Sequence, residues 1–396
     1  MIKMFMPLEA QYHFTNIRFV CSPAWMKRLF TCSVIAMILV FLYVEHVRYE
    51  IKPTSRTGQR RTPKDTSIEV FFYNRPSDFS LNVFNHCDYP CHMVNTGDYN
   101  KSSAVVFHSA TLYNYKPLQK QNDHIWVFYA LEPPHRHPSP DTIKQWRRLF
   151  NWTIGYRRDA DILNTYGRFK TLPTGRREDM KQRLVNFTDW ANKSDFAAWF
   201  VSNCYDNARR NDYANMLKKF IFVDKFGNCG PMKCPKAQDS ECQRMLKEKY
   251  KFYMAFESEI CRDYITEKSF KLFWDYTYSI PIVRGGGNYT MYLPSKSYIN
   301  TENFNSIKEL GKYTMALYKD TTKSVQDFRS ATNFRSTQYF RWQENYYVDS
   351  MTQEPFCELC RMLHRPMKYR RVYNDINAWL RGNEDIKICQ KRNDLH

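Results

Sequence analysis

The chain has 396 residues, of which 43% are hydrophobic and 16% aromatic; this composition excludes general disorder and suits one large or two ordinary domains. Its net charge of +19 favours a polyanion, an anionic membrane surface or a phosphorylated ligand as partner. The basic residues are scattered and match no RRM, zinc-finger or helix-turn-helix signature, so we expect no binding of nucleic acid.

A membrane anchor is the first predicted element along the chain. Residues 29–44, LFTCSVIAMILVFLYV, are uncharged and almost wholly apolar, and their length suits a thin bilayer. Lys27 and Arg28 precede this run, and the excess of positive charge on that side predicts a cytosolic N-terminus. We therefore predict a type II membrane protein with a cytosolic tail (1–28), a transmembrane signal anchor and a polar stem (45–66). A cleaved signal peptide with a long n-region is the alternative.

Glycosylation sequons and cysteines both predict that the chain after the anchor faces the secretory lumen. Asn-x-Ser/Thr sequons occur at Asn100, Asn151, Asn186, Asn192 and Asn288. Apart from Cys21 and Cys32, the twelve cysteines follow the predicted anchor, and an oxidising lumen makes them disulfide candidates. These two observations agree with the orientation that the flanking charges predict.

Beyond the stem, short apolar runs alternate with helix-compatible segments. We predict strands over residues 68–73, 104–108, 124–131, 196–201, 219–224, 250–256 and 279–285. Helices are predicted between several of them, such as residues 207–220 and 266–277. Buried strands that alternate with helices indicate parallel α/β layers, and the chain length suits two such domains with a cleft between them.

The stretch FESEICRDYITEK (residues 256–268) joins one of these strands to the following helix. Thr266 is the predicted N-cap, so Glu267 and Lys268 lie in the first helical turn, just beyond the carboxyl end of the strand. Free N–H groups there suit a phosphate, Lys268 adds positive charge, and Glu267 can accept hydrogen bonds from ribose hydroxyls. This spacing is compatible with a nucleotide site, although an ordinary solvated first turn is the commoner origin of such a pattern.

The same stretch resembles the signature F-E-N-S-x-C-x-D-Y-I-T-E-K of the α1,3-fucosyltransferases (glycosyltransferase family 10), and the chain is similar to the invertebrate-type Golgi enzymes of that family. Further blocks resemble the family in order, namely residues 150–162, 222–230, 280–317, 357–360 and 374–380. The resemblance implies two Rossmann-like α/β domains facing a cleft (GT-B type), with residues 67–195 on the acceptor side and 196–345 binding GDP-fucose. Residues 346–396 would then return to the first domain.

The function that the resemblance implies is an inverting glycosyl transfer in the Golgi lumen. L-Fucose would pass from GDP-β-L-fucose to the 3-hydroxyl of N-acetylglucosamine in glycoprotein or glycolipid glycans. The general base maps onto Glu132, in LEPP where the family has L-E-S-P, so Pro133 departs from the pattern. The alternative is a catalytically weak member of the family that binds glycan or nucleotide.

The donor residues of the family map onto the second half of the chain. Arg210 and Lys268 would face the diphosphate, with Arg209 as the alternative if the register shifts by one. Glu267 would bind the ribose and Tyr264 would line the nucleotide pocket, beside Ser258, which stands where the family usually has Asn. The other acids of the stretch are predicted to be structural or solvated, namely Glu257, Glu259 and Asp263.

Two patterns that could hold a metal are predicted not to do so. Asp159-Ala-Asp161 has the D-x-D spelling of metal-dependent transferases, but it lies inside a block that resembles metal-free enzymes. His135 and His137 lack carboxylate or thiolate partners nearby in sequence and are predicted to be loop residues. The resemblance implies no required cofactor and leaves room for stimulation by Mn²⁺.

The CELC motif would suggest zinc or redox chemistry in a cytosolic protein. In a lumenal chain, its Cys357 and Cys360 resemble the family arrangement in which both cysteines pair back to the first domain. Cys87 and Cys91 are then the natural partners, and the pairing of the other six lumenal cysteines stays open.

Overall fold

The structure is a computed structural model, and it describes residues 67–173, 190–234, 239–274, 277–320, 337–349 and 353–395. The chain divides into the units Met1–Lys64 and Asp65–His396, and all described residues belong to the second unit. The predicted tail, anchor and stem (residues 1–66) therefore lie outside the described residues, as does Asn186. Within the described ranges, no helix combines the length and apolar character needed to cross a bilayer.

The first sheet has six parallel strands in the order β2-β1-β3-β4-β5-β6. Their bounds are β1 Ile68–Phe72, β2 Cys91–Val94, β3 Ala104–His108, β4 Ile125–Ala130, β5 Trp152–Gly155 and β6 Ile162–Leu163. All six residues of β4, IWVFYA, are buried, because a parallel strand covered on both faces takes a continuous apolar run rather than an alternating one.

The second sheet has five parallel strands in the order β12-β11-β10-β8-β9. Their bounds are β8 Asp195–Phe200, β9 Val223–Phe226, β10 Tyr250–Phe256, β11 Ile280–Arg284 and β12 Ile299–Asn300. A separate antiparallel pair joins β7 (Arg168–Thr171) to β13 (Tyr346–Asp349). The prediction of an α/β protein with parallel sheets is confirmed.

Helices cover both faces of the sheets and complete their cores. They are α1 Pro140–Lys144, α2 Arg210–Leu217, α3 Asp239–Lys249, α4 Glu267–Trp274, α5 Ile307–Asp320, α6 Glu354–Leu363 and α7 Ile376–Arg381. Apolar residues of α6 and α7 pack on opposite faces of the first sheet, and those of α2 and α4 pack on opposite faces of the second. The predicted strand over residues 219–224 is wrong at its start, because the N–H groups of Phe220 and Ile221 bond to Leu217 O and prolong the turn after α2.

The end of the chain contacts both sheets in turn. After α7 has packed on the first sheet, the backbone N–H of Gln390 donates to Ile260 O (2.9 Å) in the loop after β10. Asp394 then accepts two hydrogen bonds of 2.8 Å from the buried guanidinium of Arg284, at the end of β11. The segment predicted to return to the first domain is therefore divided between the two sheets.

Five disulfides involve every cysteine that follows the predicted anchor. The structure joins Cys87 to Cys357 and Cys91 to Cys360, which ties α6 to the first sheet. The cysteines whose partners the sequence left open form the pairs Cys204–Cys229, Cys234–Cys242 and Cys261–Cys389.

Candidate active site

The strand order of the second sheet places a crevice at its carboxyl edge. From β8 the chain adds β9 on one side, and it then adds β10, β11 and β12 on the other side, so the strand order reverses between the parallel neighbours β8 and β10. α/β proteins bind ligands outside the carboxyl ends of the strands at such a point. The loops that follow these two strands lie side by side, because Ala208 N donates to Ser258 O (3.2 Å). The predicted donor residues Arg210, Ser258, Glu267 and Lys268 all follow β8 or β10 in the chain.

A buried carboxylate fixes the start of α4. Glu257 is fully buried, and its carboxylate accepts hydrogen bonds from Thr266 N (2.8 Å) and Thr266 Oγ1 (2.9 Å). The same carboxylate lies 3.1 Å from Lys268 Nζ, which also donates to Thr266 Oγ1 (2.7 Å). Glu257 is therefore the buried counter-ion of Lys268. This agrees with the prediction that the acid is structural or solvated, and it adds the partner, which the sequence did not reveal.

Lys268 and Glu267 both keep their charges at the helix start. Burial disfavours the charged form of Lys268, but attraction to Glu257 and Glu267 outweighs burial and raises the lysine pKa. For Glu267, burial raises the pKa, but the positive charge of Lys268 outweighs burial and lowers the pKa on balance. Since the Lys268 side chain is 22% exposed and that of Glu267 is 51% exposed, α4 presents a cation and a carboxylate to solvent at its positive end.

Arg210 has a different environment from Lys268, although both are predicted to face a diphosphate. Its buried guanidinium donates to Asp206 Oδ2 (2.6 Å), Phe256 O (3.2 Å) and Asn203 O (3.1 Å). Arg210 thus connects the loop after β8 to the end of β10. Arg209, the alternative, is exposed and pairs with Asp212 (2.9 Å), so Arg210 is the buried one of the two and its guanidinium is bonded to protein groups.

Glu132 follows β4 of the first sheet, and main-chain contacts fix its loop. The ring nitrogen His137 Nε2 donates to Glu132 O (2.8 Å), and Tyr166 OH donates to Leu131 O (2.8 Å). Burial lowers the pKa of His137 to about 4, so the ring is neutral. Burial also raises the pKa of Glu132, against the lowering effects of Arg136 and Lys268.

The two halves of the predicted site meet across the carboxyl edges of the two sheets. Lys268 and Glu267 both act on the pKa of Glu132, so the structure brings the predicted base and the predicted donor residues within electrostatic reach. Tyr264 is buried beside them; burial, then Glu257 and Glu132, raise its pKa. Its ring contacts Tyr156 of the first sheet at 5.1 Å between centroids.

Charged contacts join the stretch after β10 to the loops of the first sheet. His135 Nδ1 lies 3.1 Å from Glu259 Oε1, and the main-chain N–H of Arg158 donates to Asp263 Oδ2 (3.2 Å). Glu259 and Asp263 therefore hold the two sheets together. Sequence reasoning placed Thr266 at the helix start but missed its bond to Glu257. It missed the contacts of Glu259, Asp263 and Tyr166 because their partners lie on loops that only the fold brings together. The support from His137 is local, but nothing in the sequence marked it.

The D-x-D aspartates have separate basic partners. Asp159 accepts from Arg157 Nε (2.8 Å) and Arg262 Nη2 (2.6 Å), whereas Asp161 accepts from Arg371 Nη1 (2.7 Å) and Tyr373 OH (2.8 Å). Within the described part of the chain, the side chains grouped suitably for a metal are Cys91, Cys360 and His364, and those two cysteines are bonded to each other. The geometry supports a structural role for both aspartates, and independence from metal stays a prediction.

The sequons differ in accessibility. Asn100, Asn192 and Asn288 are exposed. Asn151 is buried, and its side chain accepts from Trp126 N (2.9 Å) and donates to Arg371 O (2.9 Å). Because the side chain is buried, this folded conformation leaves no room for a glycan on Asn151.

Two family models match the chain. "Fucosyltransferase, N-terminal" matches residues 65–167, and "Glycosyltransferase family 10 (fucosyltransferase) C-term" matches residues 190–379. These matches contain both halves of the site, since Glu132 falls in the first and Lys268 in the second.

Named relatives and a solved structure are similar to the chain. Alpha-(1,3)-fucosyltransferase C of Drosophila melanogaster is 31% identical over 74% of this chain and 70% of its own length. Alpha-(1,3)-fucosyltransferase fut-1 of Caenorhabditis elegans is 33% identical over 69% of this chain and 60% of its own length. Glycoprotein 3-alpha-L-fucosyltransferase A of Drosophila melanogaster is 34% identical over 65% of this chain and 47% of its own length. A crystal structure of an alpha1,3-fucosyltransferase with GDP aligns with a TM-score of 0.50 and 15% identity, over 78% of this chain and 94% of that one, and it supports the fold.

Proposed function

Because the chain belongs to glycosyltransferase family 10, the fucosyltransferases, we propose that it transfers L-fucose from GDP-β-L-fucose to a glycan. The acceptor is the 3-hydroxyl of N-acetylglucosamine in glycoprotein or glycolipid glycans, and the configuration at C1 of fucose inverts. The observation that carries this proposal is that the loop of Glu132 contacts the stretch leading to Glu267 and Lys268, since His135 Nδ1 lies 3.1 Å from Glu259 Oε1.

The donor binds at the start of α4 in this proposal. The positive end of the helix dipole and the Lys268 ammonium favour a diphosphate, and Glu267 accepts hydrogen bonds from the ribose hydroxyls. Lys268 stabilises the charge that develops on the GDP leaving group, which lowers the barrier to departure. Arg210 supports the same crevice from the β8 side, and no required cofactor enters the reaction.

Glu132 acts as the general base. The acceptor hydroxyl loses its proton to Glu132 as its oxygen attacks C1 of fucose from the face opposite GDP. The C1–O bond to the diphosphate breaks in a transition state that resembles an oxocarbenium ion. The raised pKa of Glu132 makes it a stronger base than an ordinary carboxylate, provided that it is ionised when the substrate binds.

We also propose that the protein is an N-terminally anchored type II protein of the Golgi membrane with its site in the lumen. The apolar run at residues 29–44 and the charges before it support the anchor. The five disulfides support an oxidising compartment.

Transfer by the purified full-length chain in detergent tests the enzymatic proposal. We would incubate it with GDP-fucose and a panel of N-acetylglucosamine-ended glycans, measure GDP release, and determine the new linkage by NMR. We expect an α1,3-linked product. If GDP binds but no glycan in the panel is fucosylated or stimulates GDP release, the chain is a binding protein and the proposed function is wrong.

A further inference from the structure

A second concavity lies beside the candidate active site. In the first sheet, β5 and β6 lie between β4 and the edge of the sheet, and in the second sheet β11 lies next to β10 on the side away from β8. Residues after these outer strands line a cavity of about 530 Å³, including Arg158 and Leu163 from the first sheet and Tyr292 from the second. This volume is in the range of ligand sites, and the proposed transfer of fucose uses none of these side chains.

The lining combines exposed apolar and aromatic side chains with charged groups. Tyr346 is 38% exposed and Met291 is 50% exposed, which is high for side chains of this size. The guanidinium groups of Arg158 and Arg168 border the same cavity and are exposed. Aromatic faces and fork-shaped donors together suit a ligand with apolar faces and many hydroxyl groups, which is the chemistry of a sugar chain.

A second concavity adjoins this cavity. A neighbouring concavity of about 440 Å³ shares Leu163 and Arg168 with it and extends to Tyr89, Glu354 and Arg361 beside α6. The two concavities, called the lateral groove below, can accommodate several linked units rather than one small molecule. An added polypeptide strand is less suited, because β6 at the end of the first sheet contributes two residues.

The lateral groove borders the reaction centre. Thr165 and Gly167 line the groove, while Tyr166 between them donates its hydroxyl hydrogen to Leu131 O, next to Glu132. On the other sheet, Asp263 contacts the backbone of Arg158, and the adjacent Tyr264 is in the candidate site. The segments that line the lateral groove therefore also contact the loops that carry Glu132 and Tyr264.

We propose that the lateral groove binds the non-reacting part of the acceptor oligosaccharide, so that the enzyme selects extended glycans over short ones. This inference rests on the proposed function. A second source of the same chemistry is the protein's own glycan, since the sequon residue Asn288 is exposed and Thr290 of that sequon lines the cavity.

Kinetics with two acceptors test the inference on the full-length chain. We would compare Arg158→Ala and Tyr346→Ala using a short N-acetylglucosamine acceptor and a branched N-glycan. Each substitution is expected to lower kcat/KM for the branched glycan by roughly threefold to tenfold, the effect of one lost contact. The values for the short acceptor and the KM for GDP-fucose should not change. Arg244→Ala and Phe222→Ala are matched controls, because both side chains are exposed away from the carboxyl edges.

The outcomes separate the inference from the proposed function. Equal loss with both acceptors, or loss with neither, would overturn the lateral groove while leaving fucose transfer intact. If the wild type transfers fucose to no acceptor, the proposed function fails, and saturation-transfer NMR with the branched glycan then tests the groove alone. Asn288→Gln separates the two sources. If Arg158→Ala still lowers kcat/KM for the branched glycan in the Asn288→Gln background, the acceptor itself contacts the groove; loss of that effect in this background would assign the groove to the protein's own glycan and overturn the acceptor assignment.

Discussion

The carboxyl edges of the two sheets position their charged groups differently. On the second sheet, Lys268 and Arg210 each have a buried carboxylate partner nearby in sequence, Glu257 and Asp206. On the first sheet, the loop of Glu132 is fixed through main-chain oxygens, one of them bonded to Tyr166 from 35 residues away. The donor side is thus specified by short motifs, whereas the position of the base depends on how distant loops pack.

The largest effect is expected where the first sheet supplies the base. Glu132→Gln keeps the shape of the side chain but cannot accept the acceptor proton. Fucose transfer should fall by about 10²–10⁴-fold while GDP binding stays nearly intact. Initial rates and calorimetry with GDP measure the two properties separately, and wild-type turnover in this variant on a good acceptor would exclude Glu132 as the base.

The pH profile gives this comparison a control. The raised pKa of Glu132 means that protonation inactivates the base at a higher pH than for an ordinary carboxylate. The wild-type kcat/KM should therefore decline as the pH falls through that raised pKa, and the residual activity of Glu132→Gln should lack this decline. An identical acid limb in both proteins would assign the titration to another group.

A smaller effect is expected from the cation on the second sheet. Lys268→Ala removes a charge-assisted contact worth about 1.5–3 kcal/mol, so the affinity for GDP should fall by about tenfold or more. The change also leaves Glu257 buried without its cation, which can destabilise the fold on its own.

A paired variant separates these two effects. In the Glu257→Gln background a neutral amide replaces the buried carboxylate. Adding Lys268→Ala to this variant therefore leaves no buried charge without a partner. Calorimetry with GDP should still show the loss when the double variant is compared with Glu257→Gln alone. An unchanged dissociation constant in this comparison would place the diphosphate elsewhere.

The distant support of the base gives a weaker effect. Tyr166→Phe removes the hydrogen bond to Leu131 O, and kcat should fall roughly threefold to tenfold with the KM for GDP-fucose unchanged. Tyr99→Phe is the matched control, since Tyr99 OH also donates to a main-chain oxygen, Gln119 O, on the segment between β3 and β4. Equal effects of the two substitutions would mean that Tyr166 contributes general stability rather than placement of Glu132.

The sequence predicted the elements whose signals are local. Continuous apolar runs identified strands such as Tyr250–Phe256 and Ala104–His108 with the bounds that the structure has. The short strands Cys91–Val94 and Ile299–Asn300 were not predicted, because so few residues show no hydrophobic periodicity. Their pairing is set by the neighbouring strands.

The candidate site shows the same limit. Glu267 and Lys268 at the start of a helix could be predicted because cap, charge and strand end are contiguous in sequence. Their meeting with Glu132 could not be derived from spacing, and only the resemblance to a family suggested it. The burial of Asn151 was equally hidden, because its partners Trp126 and Arg371 lie on different elements.

The smallest effect is expected from removal of metal ions, and it tests whether protein cations suffice on the donor side. Lys268 and the start of α4 already oppose the charge of the diphosphate, so activity of the full-length chain should largely survive EDTA. Asp159 and Asp161 accept hydrogen bonds from different arginines, so we do not expect them to share an ion. Complete loss of activity that Mn²⁺ restores, and that Asp159→Asn or Asp161→Asn abolishes, would contradict both points. Partial stimulation by Mn²⁺ would not, because free ions also bind the GDP product and speed its release.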